Sequence, residues 1–161
     1  MAGDEHGGER DDPLDEAVGA VPPVLADGGQ LGDVAIDHVG VATDDTDAAL
    51  ALYRDALGMP VVHEEEFDGM RVTFCGDDAG VELLEPLPGD DGAIAGFLER
   101  EGPGIHHLAV EVPDVAAGIE ALRDAGYDPI DDAPREGAWG KRVAFVHPGS
   151  TGGVLLELCA H

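Results

Sequence analysis

Short stretches of alternating apolar and polar residues recur along the chain, separated by turns rich in glycine, proline or aspartate. The clearest stretch is 105–112, whose period of two predicts a β-strand. One face of this strand carries His107 among small and polar residues, which suits a metal ligand or a polar pocket. The other face is mostly apolar and carries His106. We therefore expect His106 to face away from any site and to have a structural role.

The same stretch occurs twice. A second strand-like copy lies 69 residues earlier, with His38 in the position of His107. Each copy continues into an aspartate-containing turn and a predicted helix, over 46–57 in the first copy and 114–125 in the second. A duplication of roughly 60 residues predicts two related modules and not a solenoid.

The helix predicted over 46–57 has clear end signals. Asp45 or Thr46 is the expected N-cap, and Gly58 stands where a left-handed residue would end the helix. Apolar residues at helical spacing define the face that we expect to lie in the core, namely Leu50, Tyr53 and Leu57.

The remaining patterns complete two modules of the order βαβββ, which predicts an α+β fold. The predicted strands are 34–42, 60–64, 70–75 and 80–86 in the first module, and 105–112, 127–130, 142–147 and 154–159 in the second. Residues 93–100 predict a short linking helix. We expect a disordered acidic tail over 1–33 and one domain over 34–161, made of module one (34–88), a linker helix (89–103) and module two (104–161).

The composition excludes several classes of function. The formal net charge is −27 at pH 7, and the acidic residues are spread over the whole chain. Such a polyanion repels nucleic acids and anionic membranes, so we expect neither as a partner. The chain has no apolar run of membrane-spanning length and no signal-peptide pattern, which favours a cytoplasmic location. Its two cysteines, Cys75 and Cys159, are expected to be buried free thiols.

The two modules share a second chemical feature. Each contributes one histidine from its first strand and one glutamate from its last, giving the set His38, Glu82, His107 and Glu157. If the first and last strands of a module are neighbours, and the modules pair about a pseudo-two-fold axis, these four side chains converge. A carboxylate inside a curved sheet is costly unless it is paired or metal-bound. Two imidazoles and two carboxylates suit a divalent first-row metal, and the lack of thiolates argues against a structural zinc site.

Six segments, taken in order, resemble the vicinal oxygen chelate superfamily and, within it, the methylmalonyl-CoA epimerase family. These segments are 36–42, 81–87, 94–98, 104–109, 140–148 and 153–158. The resemblance covers about residues 34–160 of the chain. It implies that the two modules form a curved, partly open mixed sheet barrel around the metal site. It also implies a homodimer, because dimers are common in the superfamily.

The resemblance implies interconversion of the two C2 epimers of methylmalonyl-CoA. The expected cofactor is a divalent metal ion, Co²⁺ first, with Mn²⁺, Ni²⁺, Fe²⁺ and Zn²⁺ as alternatives. Glu157 is a candidate base as well as a ligand. Some family members carry a second base after a Gly-Val-Arg sequence, where this chain has Val72, so the second base stays open among the carboxylates of 64–68. Two alternatives share the fold: a glyoxalase I-type lyase and a non-catalytic small-molecule binding protein.

Basic residues are scarce, so their positions are informative. The chain has eight lysines and arginines in total. An acyl-CoA substrate carries phosphates that need positive partners in a repulsive field. We expect substrate contacts from Arg71, Lys141, Arg142 and His147, with pairing to nearby acidic residues as the competing explanation.

The charge predicts that folding depends on salt. Raising the ionic strength shortens the range of repulsion from about 30 Å at 0.01 M to about 3 Å at 1 M. The melting temperature should therefore rise steeply with KCl concentration, measured by circular dichroism. NaCl at matched ionic strength is the control and should give a similar rise, because screening depends on ionic strength. An unchanged melting temperature at low ionic strength would contradict adaptation to high salt.

Overall fold

The computed structural model describes residues 31–161, so residues 1–30 of the predicted tail lie outside the described range. The eight strands are β1 (Ala35–Ala42), β2 (Val61–Phe67), β3 (Met70–Cys75), β4 (Gly80–Pro86), β5 (Gly104–Glu111), β6 (Arg135–Glu136), β7 (Arg142–Val146) and β8 (Leu156–Ala160). The α-helices are α1 (Thr46–Leu50), α2 (Ala93–Glu101) and α3 (Val115–Asp124). A π-helix (Ala51–Ala56) continues α1, and a 3₁₀ turn covers Ala138–Gly140.

The helices begin in the same way in both modules. The Asp45 carboxylate accepts a hydrogen bond from the backbone N–H of Ala48, and Asp114 does the same for Ala117. Each aspartate thereby satisfies a backbone N–H that has no partner within the helix. Of the two expected caps for the first helix, Asp45 is the one that the structure shows.

The first helix changes geometry halfway. After Leu50 it becomes a π-helix, and Gly58 then ends it with a positive φ of 74°, as expected. Leu50 is buried and Tyr53 packs against the core, but Leu57 is 61% exposed. The prediction that Leu57 lies in the core was wrong. The wider turn of a π-helix shifts later residues away from the period of an α-helix.

All eight strands form one sheet in the order β2-β3-β4-β1-β5-β8-β7-β6. In each module the first strand pairs in parallel with the last, β1 with β4 and β5 with β8. The two first strands pair with each other in antiparallel fashion at the centre. The sheet curls into a half-barrel, so the α+β prediction of two βαβββ modules in a curved, partly open barrel is confirmed.

Two bulges interrupt the central pairing of β1 with β5. On β1, Asp37 has no partner, because its neighbours Ile36 and His38 pair with consecutive residues of β5. On β5, His106 has no partner, because its neighbours pair with the consecutive residues Gly40 and Val41 of β1. A bulge turns side chains away from strict alternation. Both skipped residues immediately precede one of the two histidines of the predicted site, so the duplication extends to the irregularities.

Apolar packing is divided between the two modules. In module two, α3 places Ile119 and Leu122 against Leu158 and Val146 of the sheet. In module one, Val72 and Leu84 pack with Ile94 of α2. Both cysteines are free and buried, as expected. Among residues 31–161, no helix is long and apolar enough to cross a membrane.

The second module departs most from the predicted boundaries. Residues 127–130 form only an isolated bridge between Pro129 and Val146, since proline has no N–H to donate to a sheet ladder. The short strand β6 takes the edge position instead. Strand β8 starts at Leu156 because Gly152 and Gly153 both have positive φ values in the preceding turn.

The burial of α3 predicts a large effect of truncating its central residue. Ile119 is 1% exposed, and Ile119→Ala should lower the free energy of unfolding by about 2–5 kcal/mol through lost burial and a residual cavity. Ile105→Ala, at a 71% exposed position, is the matched control and should change it by less than about 0.5 kcal/mol. Urea unfolding in high salt measures both. Equal effects would contradict this packing.

Candidate metal centre

The four central strands of the sheet each direct one polar side chain into the concave face. In the spatial order β4, β1, β5 and β8 these side chains are Glu82, His38, His107 and Glu157. All four residues are at most 6% exposed. The two histidines therefore occupy the middle of the set, and the carboxylates flank them on opposite sides.

The four side chains meet through their terminal atoms. His38 Nε2 lies 3.0 Å from Glu82 Oε2, and His107 Nε2 lies 2.8 Å from Glu157 Oε2, each within its own module. The pairs that join the modules are 3.5 Å for His38 with Glu157 and 3.3 Å for His107 with Glu82. One donor atom from each residue lies within 4.8 Å of all the others. The structure thus brings together the four predicted ligands.

Small residues make room for this cluster. Gly40 on β1 lies between Glu82 on β4 and His107 on β5, and a Cβ atom at Gly40 would overlap the His107 ring. In the other module, Ala109 lies between Glu157 and His38. Each is the second residue after a cluster histidine. A histidine followed by a small residue at the second position is therefore a pattern that marks both cluster histidines in the sequence.

The electrostatics of the cluster favour a positive charge at its centre. Burial opposes protonation of His38, but hydrogen bonds to Asp37, Glu157 and Glu82 together raise its pKa to about 11. His107 shows the same contest between burial and its two carboxylate partners, and its pKa is also raised. Burial likewise opposes ionisation of Glu82 and Glu157, whose pKa values the histidines nevertheless hold below their usual range.

These donors fit a divalent cation. Two buried carboxylates need compensating positive charge, which protons on the imidazoles or one dication at the centre could provide. Nitrogen and carboxylate oxygen are the donors that Co²⁺, Mn²⁺, Ni²⁺, Fe²⁺ and Zn²⁺ accept. Which ion binds, and the assignment of these four residues as its ligands, stay predictions.

The bulge residues support the two histidines from behind. His38 Nδ1 lies 2.6 Å from Asp37 Oδ2. Because a carboxylate only accepts, this Nδ1 carries the proton, which leaves the Nε2 lone pair free for a metal in the neutral ring. The hydrogen bond from His38, opposed by burial and reinforced by Lys141 and His161, holds the pKa of Asp37 well below its usual range.

In module two the supporting residue is His106, whose Nδ1 lies 2.9 Å from His107 Nδ1. Burial and the nearby charge of His107 lower the pKa of His106 to about 4, so its ring is neutral and can accept a hydrogen bond. The expectation that His106 faces away from the site was wrong. Strict alternation would have turned its side chain away, but the bulge brings its ring back beside His107.

Two phenyl rings complete the surroundings in a symmetric way. Phe74 meets His38 edge-on at 5.7 Å between ring centroids, and Phe145 meets His107 in the same way at 5.6 Å. Each phenyl carries a cation on its face: Lys141 Nζ lies 4.8 Å from the Phe74 centroid, and the Arg135 guanidinium lies 5.1 Å from that of Phe145.

Two cavities approach the cluster. One, of about 150 Å³, is bordered by Glu82, His107 and Glu157, and Phe67, Val72 and Phe145 are among its apolar wall residues. The other, of about 420 Å³, lies at the start of β1 and reaches His38, Asp37 and Lys141. Its rim is acidic, with Asp77, Asp78 and Glu111. The smaller cavity therefore offers apolar walls next to three of the four polar side chains.

The four basic residues predicted to contact substrate lie in different settings. Arg71 is held by Asp47 and Glu64, and Lys141 is buried against Asp37. Arg142 donates to the Pro134 carbonyl, and exposed His147 accepts a hydrogen bond from Gly149 N–H. None of the four borders the smaller cavity, whereas Arg135 does. Their contact with substrate stays a prediction.

The carboxylates of 64–68 are also differently placed. Glu64 accepts hydrogen bonds from Arg71 and from the Thr73 hydroxyl, and Glu65 accepts one from the Trp139 N–H. Asp68, in the turn between β2 and β3, borders the smaller cavity beside the apolar wall. Glu64 and Glu65 are therefore held by other residues, and neither borders the smaller cavity.

Comparison with known proteins gives one family. Residues 37–145 match the model of the glyoxalase/bleomycin resistance protein/dioxygenase superfamily. The ethylmalonyl-CoA/methylmalonyl-CoA epimerase of Cereibacter sphaeroides is 41% identical over 128 residues, covering 76% of this chain and 95% of that protein. A methylmalonyl-CoA epimerase solved with methylmalonyl-CoA and NH₄⁺ superposes with a TM-score of 0.72 at 37% identity, covering 77% of this chain and 92% of that one. The methylmalonyl-CoA epimerase of Mycobacterium tuberculosis gives a TM-score of 0.71 at 41% identity, covering 77% and 85% respectively.

The geometry of the cluster predicts that metal binding depends on His107. His107→Ala removes a central donor and leaves the carboxylates facing a gap, so Co²⁺ affinity should fall by more than about 100-fold. Equilibrium dialysis with elemental analysis measures this, with His147→Ala, an exposed histidine near the same cluster strands, as the matched control. Stoichiometric metal retained by His107→Ala would contradict the proposed centre.

Proposed function

The chain belongs to the glyoxalase/bleomycin resistance protein/dioxygenase superfamily, and from this premise we propose that it is an isomerase that interconverts the C2 epimers of methylmalonyl-CoA with a divalent metal ion. The observation that carries the proposal is the buried set of two imidazoles flanked by two carboxylates beside an apolar cavity. Relatives named methylmalonyl-CoA epimerase, to which the chain is similar over most of their length, support the choice of substrate.

Epimerisation at C2 requires a group that stabilises negative charge and two groups that transfer protons. C2 of methylmalonyl-CoA lies between a carboxylate and a thioester, and removal of its proton develops negative charge on the thioester oxygen, close to the charge that the carboxylate already carries. A divalent cation held by His38, Glu82, His107 and Glu157 would supply Lewis-acid stabilisation of that charge. Inversion at C2 further requires that a proton leaves one face of the planar carbon and returns to the other, for which two acid/base groups on opposite sides are suited.

The sheet provides such a pair in Glu82 and Glu157. They project from β4 and β8, on the two sides of the strands that carry the histidines. We infer that each glutamate, besides its role as a ligand, exchanges a proton with one face of C2. Some family members carry a base on β3, but the residue at that position here is Val72, which is buried in the cavity wall. The assignment therefore takes both bases from the cluster itself.

The cavity walls support proton transfer between these groups and C2. Val72, Leu84 and Phe145 give an apolar lining next to the carboxylates, which limits the access of water. Interactions with the developing charge are strengthened by the low dielectric of such a lining. Arg135 borders the same cavity and pairs with Asp131, and we propose that it contacts the phosphates of an acyl-CoA.

Three further features belong to this proposal. Co²⁺ is the proposed ion, with Mn²⁺, Ni²⁺, Fe²⁺ and Zn²⁺ as alternatives. A homodimer in the cytoplasm is proposed as the working state. The net charge of −27 supports adaptation of the protein to a concentrated salt solution.

The decisive experiment follows exchange at C2 in high salt. With (2R)- or (2S)-methylmalonyl-CoA in D₂O, the protein should introduce deuterium at C2 and yield both epimers. A chelator should abolish this, and Co²⁺ should restore it. A glutathione hemithioacetal is the comparison substrate for lyase activity. Turnover of that substrate without C2 exchange would establish a lyase, and tight binding of methylmalonyl-CoA without exchange would establish a binding protein.

The same assay tests the two proposed acid/base groups. Because each glutamate is also a proposed ligand, Glu82→Gln and Glu157→Gln are assayed at a Co²⁺ concentration that saturates the variant. Under that condition the rate of epimerisation should fall by about 100-fold or more. Each variant should still exchange the C2 proton of one epimer with retention, and the two variants should spare opposite epimers. Glu111→Gln, an exposed position on β5, is the matched control. The two-glutamate assignment would be contradicted if one variant lost exchange with both epimers while the other variant kept exchange with both.

A further inference from the structure

Asp37 is the meeting point of a hydrogen-bonded network behind the cluster. Its Oδ2 accepts from His38 Nδ1 at 2.6 Å and from Lys141 Nζ at 2.7 Å, and its Oδ1 lies 3.0 Å from His161 Nε2. Three elements distant in sequence therefore meet on one carboxylate: the start of β1, the residue before β7, and the end of the described chain. A carboxylate held from three directions has one orientation available to it.

Lys141 is unusual for a lysine. It is the one lysine in a chain that carries 35 aspartates and glutamates, and it is only 3% exposed. Burying an ammonium group is costly unless it is paired and hydrogen-bonded. A lysine placed for solubility or for general neutralisation of an acidic surface would lie in water. The burial of this one points to a local role.

The aromatic neighbours of Lys141 link it to the same histidine. Its Nζ lies 4.8 Å from the centroid of Phe74 and 5.7 Å from that of Trp139. Phe74 in turn meets the ring of His38 edge-on. Lys141 thus contacts two groups that each contact His38, namely the Asp37 carboxylate and the Phe74 ring.

Comparison of the two modules separates the roles of the two cations. Arg135 lies on Phe145 as Lys141 lies on Phe74, but Arg135 is half exposed and borders the smaller cavity. In module two, the residue behind His107 is His106, a neutral imidazole, where module one has a carboxylate. Only the carboxylate needs a buried cation next to it, and Lys141 supplies that cation.

We propose that Lys141 is a positioning residue for the metal centre: by fixing Asp37, it holds the His38 ring in the tautomer and orientation that direct Nε2 at the cluster. This rests on the proposed metal site, but it requires no particular substrate. Partners of this kind behind a metal ligand commonly alter metal affinity by 10–100-fold. Lys141 is thereby assigned to the metal centre and not to substrate phosphates.

The test uses the full-length protein in high salt with Co²⁺ as the probe. Lys141→Ala and Asp37→Asn should each weaken Co²⁺ binding by about 10–100-fold and alter its visible absorption spectrum. In the Asp37→Asn background, Lys141→Ala should add little, because the two residues act through one contact. Arg142→Ala, at the exposed neighbouring residue, is the matched control and should leave both readouts unchanged.

Rescue distinguishes positioning from general structural support. Ethylammonium ions can enter the space left by Lys141→Ala and donate to Asp37, so they should restore the Co²⁺ affinity and spectrum. Tetramethylammonium carries the same charge without a donor and should not. Normal Co²⁺ affinity and spectrum in folded Lys141→Ala would overturn the proposal. The proposal would also be overturned if Lys141→Ala reduced Co²⁺ affinity in the Asp37→Asn background by as much as it does in the unsubstituted protein.

Two measurements keep the test decisive if a variant does not fold or if the protein does not bind Co²⁺. If Lys141→Ala does not fold, Asp37→Asn decides, and unaltered Co²⁺ binding in that variant overturns the proposal. If the unsubstituted protein binds no metal, the proposed function fails first. In that case the low-field NMR signal of the His38 Nδ1 proton in the metal-free protein decides: its persistence unchanged in Lys141→Ala would overturn the positioning role.

Discussion

The central constraint on this structure is the cost of placing two carboxylates inside a curved, mostly apolar sheet. Glu82 and Glu157 are each at most 6% exposed, and each lies against both cluster histidines. Such a group of acids is stable only with positive charge at its centre. The same contacts raise the pKa of His38 and of His107. The concave face therefore favours positive charge at this point, which protonated imidazoles or a divalent cation can supply.

Duplication is the means by which this chain assembles the cluster. A single βαβββ module brings only one histidine and one glutamate to a sheet face, which is too few donors to hold a catalytic metal ion firmly. Antiparallel pairing of β1 with β5 brings the second pair into place and puts the carboxylates outside the histidines. That order suits a reaction in which the proton must leave and return on opposite faces of one carbon.

The supporting contacts show where the two modules have diverged. Both have a bulge before the cluster histidine, a small residue two positions after it, and a phenyl ring against it. They differ in the bulge residue, Asp37 or His106, and in the cation on the phenyl ring, Lys141 or Arg135. In module one these residues form a buried network behind His38. In module two the cation on the phenyl ring is half exposed and borders the smaller cavity.

The sequence by itself determined the modules, the fold class and the four residues of the cluster. Periodicity marked the strands, and the repeat of one histidine and one glutamate at matching positions identified a shared centre. It could not determine the environment of Asp37, His106 or Lys141, because β-bulges break the alternation on which such inference depends. Nor could local spacing show that Lys141 is buried, since its partner lies 104 residues away. Contacts of that kind are set by how strands from the two modules pair, and only the tertiary structure decides that pairing.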